Sequence, residues 1–142
     1  MPSLLCPLLL AVAMLFASHA LANTNTMQNQ YALVFFFSSD CPYCHQFAPT
    51  MQQFQEQTQL PLYEFSFDGK PIPGYHTPIP VMPDIARAFF TDAKNAITPA
   101  TFLINVDSGK YVHLSRGNVH YQELMRSYQR IRADNAIMES LQ

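Results

Sequence analysis

Residues 31–39 read YALVFFFSS, and from Tyr31 to Phe37 the run is aromatic or aliphatic without interruption. A strand with one wet face alternates polar and apolar side chains. A strand apolar at every position has to be covered on both sides. This run therefore demands a sheet with a layer against each face, an α/β architecture. A chain of 142 residues holds one such domain and has no room for two.

The residues after the run supply the layers. Pro42 suits the first turn of a helix, where a missing N–H is no loss. Tyr43, Phe47, Met51, Phe54 and Thr58 recur at helical spacing between glutamines, which predicts an amphipathic helix to about Gln57. Residues 60–68 (LPLYEFSFD) alternate imperfectly and predict a second strand. Residues 69–83 hold five prolines and two glycines and are expected to be loop throughout. Pro83 then opens a short helix with Ile85, Ala88 and Phe89 on one face. Residues 100–107 and 111–117 predict two strands joined by a tight Ser108-Gly109-Lys110 turn. Asn118 is a candidate N-cap for a last helix carrying Tyr121, Leu124, Met125, Tyr128 and Ile131. The order β-α-β-α-β-β-α implies a right-handed parallel crossover between the first two strands and an antiparallel final pair. The expected fold is a mixed four-stranded sheet with helices on both faces.

The N-terminus reads differently. Residues 4–21 carry no charged side chain apart from His19, and Ala20-Leu21-Ala22 offers a cleavage site after Ala22. This is the layout of a secretory signal peptide, although the first three residues bring no Lys or Arg, so an uncleaved anchor is the alternative. The expected division is a signal peptide over residues 1–22 and a short lead over 23–30. The domain then covers 31–137 and a tail 138–142. The formal net charge of −2 and the absence of a polybasic run leave no electrostatic footprint for nucleic acid.

Of three cysteines, Cys6 falls in the signal segment, so Cys41 and Cys44 are the pair of the exported chain. A bridge closing so small a loop constrains little of the unfolded chain, which makes reactivity the better reason for the pair. The Cys-x-x-Cys spacing lies where the first strand ends and a helix begins. There, unpaired backbone N–H groups and the helix dipole favour thiolate over thiol. In such sites the first thiol has a pKa of about 3.5–7.5. Cys41 is the candidate nucleophile and Cys44, one turn further in, the candidate resolving thiol. Pro42 and Tyr43 shape the turn between them, and His45 either adds positive potential when protonated or is a helix-surface residue that tunes little. Far along the chain, Thr98-Pro99 stands directly before a strand. A cis bond there would bring its backbone beside the Cys41 helix.

The same letters allow other chemistry. Cys41-x-x-Cys44-His45 is also the attachment pattern of a c-type haem, with Met82, His76 or Met125 as a distal ligand. That reading wants a helical pocket rather than a strand-to-helix junction. A zinc site would add two of His45, His76, His113 and His120, but no second pair has finger-like spacing. A third reading makes the proline-rich loop a docking element through Ile72, Tyr75, Ile79 and Val81. The plainer alternative is a loop that packs back on its own domain. The expectation is no metal and no cofactor beyond the redox pair itself.

CPYC after a buried strand, a helix next, and Thr98-Pro99 ahead of a β-hairpin resemble the thioredoxin superfamily over nearly all of residues 31–135. The longer run CPYCHQFAPTMQQF, with the signal segment and the proline-rich loop, looks most like the TrbB-type thiol:disulfide isomerases of F-type conjugative transfer systems. The resemblance implies a thioredoxin-like fold and assigns substrate binding to Thr98 and Pro99. It also implies a periplasmic enzyme that helps disulfide-bonded transfer and pilus-assembly proteins fold. Dsb-type isomerases often carry an N-terminal dimerisation domain, for which residues 23–30 leave no room, so a monomer is expected. An isomerase of this kind needs a DsbD-type membrane reductant, whereas an oxidase needs a quinone-linked oxidant. Two departures bear on the direction of the chemistry. The position of thioredoxin's buried Asp is Phe35, and the Gly-Gly that follows the glutaredoxin proline is absent.

Overall fold

The computed structural model describes residues 30–142. The signal segment and nearly all of the lead lie outside the described residues. Strand β1 (Tyr31–Phe37) is buried at every position and forms the centre of the sheet. It is followed by α1 (Pro42–Thr58), β2 (Leu62–Ser66), β3 (Ile79–Pro80), α2 (Pro83–Phe89) and a 3-10 turn (Ala93–Asn95). The chain closes with β4 (Ala100–Asn105), β5 (Tyr111–Arg116), α3 (Tyr121–Ala133) and α4 (Asn135–Ser140). The sheet order is β3-β2-β1-β4-β5, with β1 parallel to β2 and antiparallel to β4.

Alternation along β1 divides its apolar run between two cores. Tyr31, Leu33, Phe35 and Phe37 point to the side covered by α1 and α3, where Phe47, Met51, Phe54, Leu124 and Ile131 meet them. Val34 and Phe36 point to the α2 side and pack with Ala100, Phe102, Phe65, Phe89 and Phe90. The expectation of helices on both faces holds, and the continuous run is the reason.

Three expectations need correction. The sheet has five strands, not four, because Ile79–Pro80 adds a short parallel edge to β2. Pro80 has no N–H for a ladder, and an edge strand needs partners on one side only, so the proline-rich composition concealed it. Within residues 69–83, Ile72 and Tyr75 fold back on the domain, bridged to each other and buried, while Ile79 is exposed and Val81 half-buried. The last helix is capped at His120 rather than Asn118, and His120 makes no side-chain cap bond. Residues 138–142, read as a tail, belong to the packed structure. Asp134 caps α4, Leu141 is 2% exposed, and Gln142 donates to the Tyr31 hydroxyl.

The β4–β5 pair contains an irregularity that sequence alternation does not reveal. Thr101 pairs with Ser115, but the next residue, Phe102, pairs with His113, leaving Leu114 as an extra residue in β5. Such a bulge re-aims the side chains beyond it. Tyr111 and His113 face the α2 side and Leu114 the α1 side, while Arg116, three residues after His113, returns to the α2 side opposite Ala100.

Candidate active site

Cys41 is the N-cap of α1, with φ −88° and ψ 106°. Its backbone carbonyl accepts from the N–H of Cys44 at 3.0 Å and of His45 at 3.3 Å. Its Sγ accepts from the Cys44 N–H at 3.2 Å, as capping oxygens do elsewhere. Pro42 occupies the first helical turn, so the helix starts with one donor fewer to satisfy. Cys41 is half-buried, whereas Cys44 is fully buried in the core beneath α1. The two sulfurs are joined in a disulfide, with the Cα atoms 5.3 Å apart. An attacking reagent therefore reaches Cys41 and not Cys44.

The Thr98-Pro99 bond is cis, and the Thr98 carbonyl oxygen lies 3.7 Å from Cys41 Sγ. A reduced Cys41 thiol would donate to it. Pro99 is buried, and its own carbonyl accepts from the Gly117 N–H at 2.7 Å. Gly117 has φ 74°, a backbone conformation open to glycine at little cost. Asn118, the displaced cap candidate, instead donates from Nδ2 to Gln46 Oε1 on α1 at 3.0 Å. The end of β5 is thus tied both to the proline turn and to the redox helix.

The loop that delivers Cys41 hangs on Asp68. Its carboxylate accepts from the Ser39 N–H at 3.2 Å, the Ser66 hydroxyl at 2.8 Å and the Lys70 N–H at 3.3 Å, and from the Ser39 hydroxyl. Burial works to raise the pKa of Asp68, but these hydrogen bonds outweigh it and hold the carboxyl well below the usual range. His45, exposed on α1, reaches back so that Nε2 lies 2.7 Å from the Ser39 carbonyl oxygen. It braces the loop from the helix side.

Tyr43 is 62% exposed, so it belongs to the rim of the site and not to the apolar stripe of α1. Phe35, where the resemblance would put a carboxylate in thioredoxin, is fully buried among the rings of Phe37, Phe47 and Tyr75. Burial, with the Glu64 charge adding to it, pushes the Tyr75 phenol above its ordinary value and keeps it neutral. Glu64 is itself raised by burial, an effect the nearby His76 opposes. The histidines proposed for zinc do not gather with Cys41 and Cys44. His113 lies on the α2 face, and among the described residues no three His, Cys, Asp or Glu side chains gather as metal ligands. Among the same residues no helix is long and apolar enough to cross a membrane.

Sequence reasoning missed Asp68, Ser39 and Gln46, and gave Asn118 a capping role in place of its bond to Gln46. Asp68-Gly69 is a turn signal, but the Ser39 bond that gives it meaning spans 29 residues.

A half-buried sulfur capping a helix at the end of a central strand, its partner buried one turn in, and a proline turn against it define a thioredoxin-fold redox-pair protein. A solved thiol:disulfide interchange protein of the thioredoxin family from Chlorobium tepidum TLS shares this fold. It has a TM-score of 0.53 and 19% identity, over 75% of this chain and 83% of that one. The chain belongs to the TraF family (F plasmid transfer operon protein), whose model matches residues 19–128. It is similar to Protein TrbB of Escherichia coli (strain K12), at 34% identity over 87 residues, which is 61% of this chain and 48% of that protein. The chain therefore spans about half the length of the curated relative it matches.

Proposed function

We propose that the protein is a periplasmic thiol:disulfide interchange enzyme, acting as an isomerase on disulfide-bonded proteins of conjugative transfer and pilus assembly. The observation that carries this reading is the asymmetry of the pair, with Cys41 accessible at a helix N-terminus and Cys44 buried behind it. Membership in a plasmid-transfer family and the likeness to Protein TrbB support the transfer context.

The reaction starts from the dithiol. Cys41 thiolate attacks one sulfur of a substrate disulfide. A Cys41–substrate bond forms as the substrate bond breaks, and the other substrate sulfur leaves as a thiolate. In isomerisation a substrate thiolate then attacks the mixed disulfide and expels Cys41, with no net oxidation. In reduction Cys44 thiolate attacks Cys41, the substrate leaves as a dithiol, and two electrons have passed to it. The α1 N-terminus stabilises the negative charge on Cys41 each time it forms. The Thr98 carbonyl, 3.7 Å from Cys41 Sγ, supports a substrate-binding role for Thr98 and Pro99 in which it accepts from a peptide N–H.

Cys41→Ser is expected to abolish exchange, and Cys44→Ser to accumulate mixed disulfides with exported proteins. Activity that survives Cys41→Ser refutes the mechanism. Reactivation of scrambled ribonuclease, together with the reduction potential of the pair, separates the directions. An isomerase reshuffles when supplied reduced, held so in the cell by a DsbD-type membrane reductant. If the protein works only when supplied oxidised, the oxidase reading, with a quinone-linked reoxidant, replaces this one.

A further inference from the structure

On the opposite face of the sheet from α1, a pocket of about 390 Å³ opens between α2, the 3-10 turn and the β4–β5 pair. Phe89 and Tyr111, stacked at 4.4 Å, form an apolar wall, and Ile97, 59% exposed, stands at its rim. Arg116 and His113 bring polarity to it. They share this face because of the bulge at Leu114, without which strict alternation would turn residues three apart to opposite sides. Arg116 Nη2 donates to His113 Nε2 at 3.1 Å, which requires Nε2 to be unprotonated and puts the ring proton on Nδ1. Nδ1 is buried and has no hydrogen-bond partner in the structure.

Arg116 has no carboxylate within ion-pair distance among the described residues. Asp92 is the one carboxylate on the wall, and both its oxygens are engaged at the 3-10 turn, by the Lys94 N–H at 3.1 Å and Asn95 Nδ2 at 2.7 Å. The pocket thus offers a guanidinium without an acidic partner next to an aromatic wall. Two of its lining residues are the chain neighbours of residues at the redox site. Ile97 precedes Thr98, whose carbonyl lies 3.7 Å from Cys41 Sγ, and Gly117, next to Arg116, is bonded to Pro99.

We propose that this pocket is a substrate subsite that binds an acidic side chain flanked by apolar residues, with Arg116 pairing to the carboxylate. The proposal deepens the disulfide-exchange reading and rests on it for the identity of the occupant as a segment of a protein substrate. Charge complementarity selects the carboxylate, and the aromatic wall selects its apolar neighbours.

The test is an NMR titration of the oxidised protein with acetyl-Ser-Leu-Glu-Leu-Ser-amide and its Gln twin, following the His113 ring and the Arg116 Nε–H. The Glu peptide is expected to bind about fivefold more tightly than the Gln twin, the upper end for a partly exposed ion pair. Shifts should concentrate at His113 and Arg116. Arg116→Gln should erase the difference and Arg116→Lys should restore part of it. Equal binding of the twins, shifts centred elsewhere, or a difference that persists in Arg116→Gln overturns the subsite. So does acetate binding as tightly as the Glu peptide, which would make the pocket a small-anion site. Concentration-dependent shifts without peptide would assign it to a second copy of the chain and equally overturn the proposal. Exchange of the wild-type protein with hydroxyethyl disulfide is read separately. Its absence sinks the redox reading whatever the titration gives.

Discussion

Four donors converge on the Asp68 carboxylate, and two of them come from Ser39, in the loop that carries the chain from β1 to Cys41. Asp68→Ala is expected to lower stability at pH 7 by about 1 kcal/mol, since the site is exposed and solvent recovers part of what four bonds give. Because the folded carboxyl titrates below its ordinary 3.8, its stabilisation is complete above that value and is lost as pH falls through and below it. Urea unfolding of wild type and variant should therefore converge in acid, and a gap that stays constant with pH would contradict the assignment. Phe36 is a second test at this scale. Fully buried and ringed by Phe65, Phe67, Phe89, Phe90 and Phe102, it should lose about 3–5 kcal/mol on Phe36→Ala in the same measurement. The redox cysteines were legible in the sequence because spacing, Pro42 and the preceding strand are all local. Asp68 was not, because a carboxylate's meaning depends on donors that arrive from elsewhere in the chain.

Among the elements, α1 ends on Gln59 in the left-handed region, φ 56°, with its N–H bonded to the Gln55 carbonyl. A side chain there carries a steric cost that glycine avoids, partly offset by glycine's greater freedom in the unfolded chain. Gln59→Gly should thus raise stability by about 0.5 kcal/mol, and a lower urea midpoint would show that the Gln59 side-chain bond to the Glu56 carbonyl matters more. The periodicities placed both main helices of the α1 face and four of the five strands. The fifth strand was hidden by proline, a residue whose rules forbid ladders in general and permit them at an edge. The bulge was hidden because His113-Leu114-Ser115-Arg116 looks like ordinary alternation. Only the pairing with β4 reveals which residue is surplus.

At the scale of the molecule, both cores share β1, so neither can dissolve without exposing the other face of the same strand. Unfolding is expected to be a single cooperative step, with near-UV and far-UV circular dichroism tracing one coincident curve in urea. Two separated transitions would mean that the α2 side melts on its own. The surplus residue in β5 also has a bearing on recombination. A chimera taking residues 111–116 from a relative with an unbulged strand would turn the Arg116 counterpart toward α1, while the Cys41–Cys44 bridge stayed in place. Exchange of that one hairpin arm between relatives would then leave the reactive pair intact and rewrite the pocket wall on the α2 face. On the proposed subsite reading, the chemistry and the choice of client would drift apart within one small domain.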